Sequence, residues 1–329
     1  MDSIDLPNQK GDNSTSSLGV ERNALEPVKV SVEMNRVKSV CNIPRIFHKL
    51  LRNSDITDNF RCEIKFPYRK WQKGVEVSAD SQETLECVIN QINSLISASR
   101  PKMRPSHFVC LPVKDDACKQ AYLAFKEKVL ERNGDGSKYV GIDENLFGYD
   151  HKLHFTLATL LLVDAEEVRL ASRLLTDFVE SEDVEGLSRS PLRISVRGLK
   201  SMQNDPKRTH VLYACVKPGE DSERLQAIAN RATALFARNG LQSGRAGESE
   251  VKLHMTLMKS RVQIEAQDKS VGRGKGRIRR NPFPADDLLT DFGDYSFVEG
   301  ALLDEICLCR MNSTGPDGFY VTEARVKLK

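Results

Sequence analysis

The chain runs to 329 residues, room for two domains or for one large domain with an appendage. Its 49 Lys and Arg against 46 Asp and Glu leave a formal charge of +3, too small to argue for a nucleic-acid partner by itself. No stretch of about 18 apolar residues is present and the N-terminus has no signal-peptide apolar core, so neither a membrane span nor a secretory leader is expected.

Residues 1–28 are rich in Asn, Ser, Asp and Gly and are expected to be disordered. Strands are predicted over 37–42, 60–66 and 75–77, with a short helix over 44–51. A longer helix over 81–97 carries the apolar stripe Leu85, Val88, Ile92 and Leu95/Ile96. A strand over 108–114 then leads through the cap candidates Asp115 and Asp116 into a helix with Cys118, Tyr122, Phe125 and Val129 on one face, stopped by Asn133-Gly134. After a loop comes the strand segment Lys152-Leu153-His154-Phe155-Thr156-Leu157. Asp164 and Glu167 read as a capping box for a helix whose buried stripe is Val168, Ala171, Leu175 and Phe178. A strand over 192–199 precedes a second round of the same pattern. A strand over 211–217, the cap candidate Asp221, a stripe of Leu225, Ile228, Ala232 and Leu235, and the stop Asn239-Gly240 lead to Lys252-Leu253-His254-Met255-Thr256-Leu257. Single strands over 302–309 and 320–326 close the chain.

The two hexapeptides differ only at the residue between His and Thr. One His-x-Thr in a chain this rich in Ser and Thr would be unremarkable. The shared Lys-Leu before and Leu after, and the strand–helix–Asn-Gly–strand order around both copies, mark a duplicated lobe. A strand puts His154 and Thr156 on one face, likewise His254 and Thr256, with Leu, Phe or Met on the other. A helix would set His and Thr about 200° apart. Phosphodiester cleavage needs a base for the attacking oxygen and an acid for the leaving oxygen, and histidine serves both roles near neutral pH. Facing each other across one groove, His154 and His254 would divide those roles, leaving open which is which. Thr156 and Thr256 would donate to the non-bridging phosphate oxygens.

Other chemistry-bearing residues have blander readings. His151 reads as a surface or loop residue, and His48, His107 and His210 as packing or surface histidines. No acidic triad or His/Cys cluster has ligand spacing, so no metal or cofactor is expected. Eight scattered cysteines without a secretory signal favour a reducing compartment, and Cys307 and Cys309 share one strand face without forming a metal knuckle. The basic run over 272–280 reads either as a solvated loop or, through Arg273, Lys275 and Arg277, as a phosphate-backbone contact beside the groove or an import signal.

The paired His-x-Thr-Leu motifs resemble the 2H phosphoesterase superfamily, and within it the A-kinase-anchoring-protein phosphoesterase-like domain, over roughly residues 101–329. The resemblance implies an α+β, bilobal fold with pseudo-twofold strand–helix–strand lobes, and His154, Thr156, His254 and Thr256 lining one groove. It also implies RNA or nucleotide phosphodiesters as ligands and no metal. The setting it implies is nuclear, with the cytoplasm also open, among subunits of a helicase-containing transcription-coactivator or DNA alkylation-repair complex. Residues 29–100 resemble the second half of a KH module. Where a working KH domain carries Gly-x-x-Gly, this chain has Leu51-Arg52-Asn53-Ser54-Asp55-Ile56-Thr57-Asp58, too short for that loop and a full second helix. The module is expected to be degenerate. Two functions compete: a metal-independent phosphodiesterase, hydrolytic or cyclising, and a non-catalytic RNA- or nucleotide-binding scaffold subunit. A third, anchoring a kinase regulatory subunit, lacks the exposed amphipathic helix it needs.

Overall fold

The computed structural model describes residues 27–33, 36–68, 74–131, 138–182, 184, 190–244, 250–260, 262–264 and 278–328. Its first unit is a sheet covered by helices. β1 (Pro27–Glu33) and β2 (Arg36–Cys41) pair antiparallel, followed by α1 (His48–Arg52), α2 (Ile56–Phe60), β3 (Glu63–Lys65), β4 (Val75–Ala79) and α3 (Gln82–Ser99). The sheet order is β1-β2-β4-β3. Ser81 caps α3 by accepting from the Thr84 amide at 3.1 Å, and Leu85, Val88, Ile89, Ile92 and Ile96 pack onto Phe47, Leu51, Ile56, Val75 and Val77.

Two expectations change here. Residues 27 and 28, placed in the disordered segment, begin β1, whose partner strand supplies its hydrogen bonds; residues 1–26 lie outside the described residues. The strand over 60–66 shrinks to Glu63–Lys65, because Ile56 and Phe60 sit one helical turn apart and pack inward together as α2. Arg61 then takes φ +51° and turns the chain into β3. A five-residue helix follows α1 across the turn Asn53-Ser54-Asp55, short of the loop and full second helix of a working KH module.

The second unit is an eight-stranded antiparallel sheet. Its strands are β5 (His107–Pro112), β6 (His154–Leu160), β7 (Leu192–Ser201), β8 (Val211–Val216), β9 (Met255–Lys259), β12 (Ser296–Leu303), β13 (Glu305–Arg310) and β14 (Thr322–Lys327). Their spatial order is β12-β7-β8-β9-β6-β5-β13-β14, so the two motif strands meet in the middle. Residues 262–264 and 278–280 pair as a separate ribbon of β10 (Val262–Ile264) and β11 (Ile278–Arg280). α4 (Asp116–Glu131), α5 (Ala165–Glu180), α6 (Glu220–Arg238) and α7 (Asp286–Phe292) accompany the sheet, and one continuous core joins its two halves.

The single strand expected over 302–309 is two strands that turn at Asp304. β12 pairs with β7 at one edge of the sheet, while β13 pairs with β5 in the other half. The two read as one strand because the residues on either side of Asp304-Glu305 are apolar. The break shows in Glu305, whose buried carboxylate accepts an ion pair from Lys114 at 2.7 Å. Caps also move. Asp115 accepts from the Cys118 amide as expected, but α6 is capped at Gly219, with Asp221 inside its first turn, pairing with Arg224. Phe236 replaces Leu235 as the buried end of the α6 stripe. Asp164 accepts from the Glu167 amide, whereas the Glu167 carboxylate reaches the Val163 amide rather than closing the box on Asp164. The stop Asn133-Gly134 lies outside the described residues.

The two units share a joint. Leu161, at the end of β6, is buried in the core of the first unit. Beside it, the buried Arg100 guanidinium donates to the Leu161 carbonyl and to Glu167, each at 2.7 Å.

Candidate active site

β6 and β9 meet through one register pair, Phe155 with Met255, both fully buried beneath the sheet. Continuing that antiparallel register by one residue sets His154 beside Thr256 and Thr156 beside His254. Diagonal neighbours in such a pair lie about 7–8 Å apart, which is room for one phosphate between two imidazoles.

Each motif strand bulges at the same place. The register shifts between Val109/Cys110 and between Leu212/Tyr213 leave Leu157 and Leu257 as the extra residues. The carbonyls freed there are satisfied from across the pseudo-twofold axis. The Thr233 hydroxyl on α6 donates to the Leu157 carbonyl at 2.8 Å. On the other side, the Gly148 amide (2.9 Å) and the Tyr122 hydroxyl on α4 (3.2 Å) reach the Leu257 carbonyl. Each half of the molecule thus braces the histidine strand of the other.

The histidines are held identically. His154 Nδ1 lies 2.7 Å from the Lys152 carbonyl, and His254 Nδ1 lies 2.7 Å from the Lys252 carbonyl. A carbonyl only accepts, so Nδ1 carries the proton in each ring and Nε2 is left with its lone pair. A tyrosine meets each ring edge-on: Tyr320 at 5.5 Å from His154, and Tyr213 at 5.3 Å from His254. The ammonium of the preceding lysine lies over that same tyrosine, Lys152 at 4.8 Å from Tyr320 and Lys252 at 5.1 Å from Tyr213. Neither the Thr156 nor the Thr256 hydroxyl has a hydrogen-bond partner among the described residues.

The halves differ in polarity. Phe108, Cys110, Cys307, Cys309 and Phe319 make an apolar cluster against which His154 packs. Burial therefore pushes the His154 imidazole down to about 4, and the nearby charges of His254 and Lys259 push the same way against the Lys152 carbonyl. His254 is lowered too, first by burial and then by Lys252 and Lys259, with the Lys252 carbonyl opposing.

All four motif residues therefore come together. Arg273, Lys275 and Arg277 lie outside the described residues. His48, His107 and His210 have ordinary partners: the Ile43 carbonyl, the Ser106 hydroxyl and the Ser260 hydroxyl. Among the described residues no group of three His, Cys, Asp or Glu side chains is placed to hold a metal ion, and no helix is long and apolar enough to cross a membrane. The sequence reading missed Tyr213, Tyr320 and Lys259. Lys259 occupies the place of Thr159 in the other copy, and only the bulge returns it to the histidine face.

The family model for the AKAP7 2′5′ RNA ligase-like domain matches residues 105–328. The chain belongs to this family. Membership agrees with the 2H phosphoesterase resemblance and with the α+β fold. The chain is also similar to mouse (Mus musculus) activating signal cointegrator 1 complex subunit 1, being 26% identical over 200 residues, 60% of this chain and 54% of that protein. It thus spans about half the length of that curated relative. Among solved structures it is similar to TT0787 of Thermus thermophilus (17% identical, 68% of this chain and 97% of that chain, TM-score 0.39). It is also similar to apo LigT of E. coli (16% identical, 69% and 99%, TM-score 0.36).

Proposed function

We propose that the chain is a metal-independent phosphoesterase acting on RNA or nucleotide phosphodiesters. The observation that carries this reading is the matched anchoring of His154 and His254 through Nδ1, which leaves two Nε2 atoms for one phosphate. His154, in the apolar half, acts as base. It takes the proton of the attacking water or 2′-hydroxyl as the new P–O bond forms. His254 acts as acid, giving its proton to the leaving oxygen as the old P–O bond breaks. The bound phosphate anion raises the His254 pKa and so keeps its proton in place. Thr156 and Thr256 donate to the non-bridging oxygens, and Lys259 adds positive charge.

The test is turnover by the purified full chain in chelator on cyclic phosphates, 2′,5′-linked oligonucleotides and RNA ends. Activity on one class is expected, and its retention in His154→Ala or His254→Ala overturns the assignment. A second reading, binding without turnover, draws on the lowered pKa of both imidazoles, which leaves no resident acid before a ligand arrives. Tight nucleotide binding with no turnover across that panel favours it.

The setting we infer is nuclear, in a coactivator or DNA-repair assembly; the name of the mouse relative, a cointegrator complex subunit, supports membership of a complex. The order β2-α1-α2-β3-β4-α3 supports a KH-like module for residues 29–100, ahead of a phosphoesterase domain over 101–329. Lacking Gly-x-x-Gly, that module serves for docking. Deleting it should release partner subunits without abolishing nucleotide binding by the groove.

A further inference from the structure

A second aromatic feature lies just upstream of His154. Tyr149 stacks on His151 with centroids 5.3 Å apart and planes at 25°. Tyr149 is nevertheless 60% exposed.

This pair is held in register with the proposed catalytic histidine. Asp150 lies 3.3 Å from His151 Nδ1. Gly318, at φ +82°, lets the last loop approach the His151 ring; a Cβ there would stand 3.1 Å from His151 Cδ2. The same loop supplies Tyr320 to His154 and binds the Lys152 ammonium through the Ser313 carbonyl (3.0 Å) and Thr314 hydroxyl (2.8 Å). Lys152 lies 5.7 Å from the Tyr149 centroid and 4.8 Å from that of Tyr320. Tyr149 is thus linked to His154 through Lys152 and Tyr320. No such aromatic pair precedes His254, where the equivalent residues are Glu248, Ser249, Glu250 and Val251.

We infer that the Tyr149–His151 pair is a stacking platform for an unpaired nucleobase beyond the nucleotide whose phosphate is held between His154 and His254, so that the groove takes single-stranded RNA longer than a mononucleotide. This rests on the phosphodiester reading of the groove. Aromatic side chains, histidine included, are the usual partners of splayed single-stranded bases. Such stacking is sequence-tolerant and worth about 1–3 kcal/mol per base, or roughly 5- to 150-fold in affinity.

The test uses the full chain and fluorescein-labelled 2′-O-methyl oligoribonucleotides of about four residues, which resist cleavage, with a nucleoside monophosphate as competitor. Tyr149→Ala should weaken oligonucleotide binding roughly 5- to 150-fold, Tyr149→Phe should retain it, and neither should alter mononucleotide binding. Making one position of the oligonucleotide abasic should abolish the difference between Tyr149→Ala and the unsubstituted protein. Equal oligonucleotide affinity with and without the Tyr149 ring, mononucleotide binding being intact, overturns the platform alone. So does a Tyr149→Ala loss that persists whichever base is removed. Failure of the unsubstituted protein to bind any of these probes overturns the platform together with the groove reading beneath it.

Discussion

Phe155 and Met255, the one position at which the two hexapeptides differ, face each other as the register pair that joins the halves of the sheet. A residue beside a pseudo-twofold axis packs against its own counterpart. Two phenylalanines would compete for the same fully buried space, and one Phe with one flexible Met fills it. The flanking His and Thr residues point to the opposite face and stay paired across the axis.

The pH dependence of kcat/KM follows from the free-protein histidines. His154 must be neutral to act as base, and its imidazole is pushed down to about 4, so the acid limb should fall near there. His254 must be protonated to act as acid, and it too lies below the ordinary histidine value, so activity should fall as pH rises through a point below about 6.5. The kcat/KM optimum should therefore be acidic. The kcat profile should shift alkaline, because bound phosphate favours the charged ring. Rate measurements from pH 3.5 to 8.5 check both.

Stability should show the complementary effect. Because the folded pKa of His154 is depressed, the unfolded chain takes up a proton first as pH falls below about 6.5. Stability is lost progressively from there down to about 4, where the folded ring also protonates. His154→Asn should flatten that part of the Tm-against-pH curve while leaving the neutral end little changed.

Thr156→Val and Thr256→Val keep shape but remove a donor from the groove. Each should lower kcat by about 10²–10³-fold if it meets the transition-state phosphate. Because neither hydroxyl has a partner among the described residues, Tm should move by less than about 1 °C.

The crossed bracing can be read in a mirrored pair of substitutions. Tyr122→Phe takes the hydroxyl from the Gly148 carbonyl (2.7 Å) and the Leu257 carbonyl (3.2 Å), costing about 1–3 kcal/mol. It should shift the NMR signals of the His254 ring more than those of His154. Thr233→Val, which frees the Leu157 carbonyl, should do the reverse. Equal effects on both rings in either variant would contradict the crossed arrangement.

The joint between the units carries stability. Leu161→Ala empties a buried site in the first core and should cost about 2–5 kcal/mol. Arg100→Met takes the buried cation from Glu167, which keeps the Val163 amide, and should cost about 3–5 kcal/mol, part of it recovered by adding Glu167→Gln. Urea titrations followed by circular dichroism measure both losses and the recovery.

Much of the local structure was legible because it follows from periodicity and caps. The helix through Cys118, Tyr122, Phe125 and Val129 buries all four, and Ser81, Asp115 and Asp164 sit where short-range hydrogen bonding places them. The larger misreadings occur where a distant partner decided. The segment over 302–309 is apolar on either side of Asp304-Glu305, and its pairing with β7 at one edge and β5 in the other half makes two strands of it. Tyr213 and Tyr320 look like ordinary strand residues until the sheet brings each to a histidine edge.

The repeat of His-x-Thr is a property of the chain alone, and side-chain alternation then assigns each His and Thr to one face. Whether the two copies serve one site depends on strands a hundred residues apart in sequence, and alternation carries no information over that distance. The Phe155–Met255 register brings the copies side by side, helices from opposite halves secure the bulged carbonyls, and the closing hairpin lines one half of the groove with aromatic rings. The unequal surroundings of His154 and His254, and with them the division of acid and base, arise from that long-range packing, because desolvation depends on neighbours in space rather than in sequence.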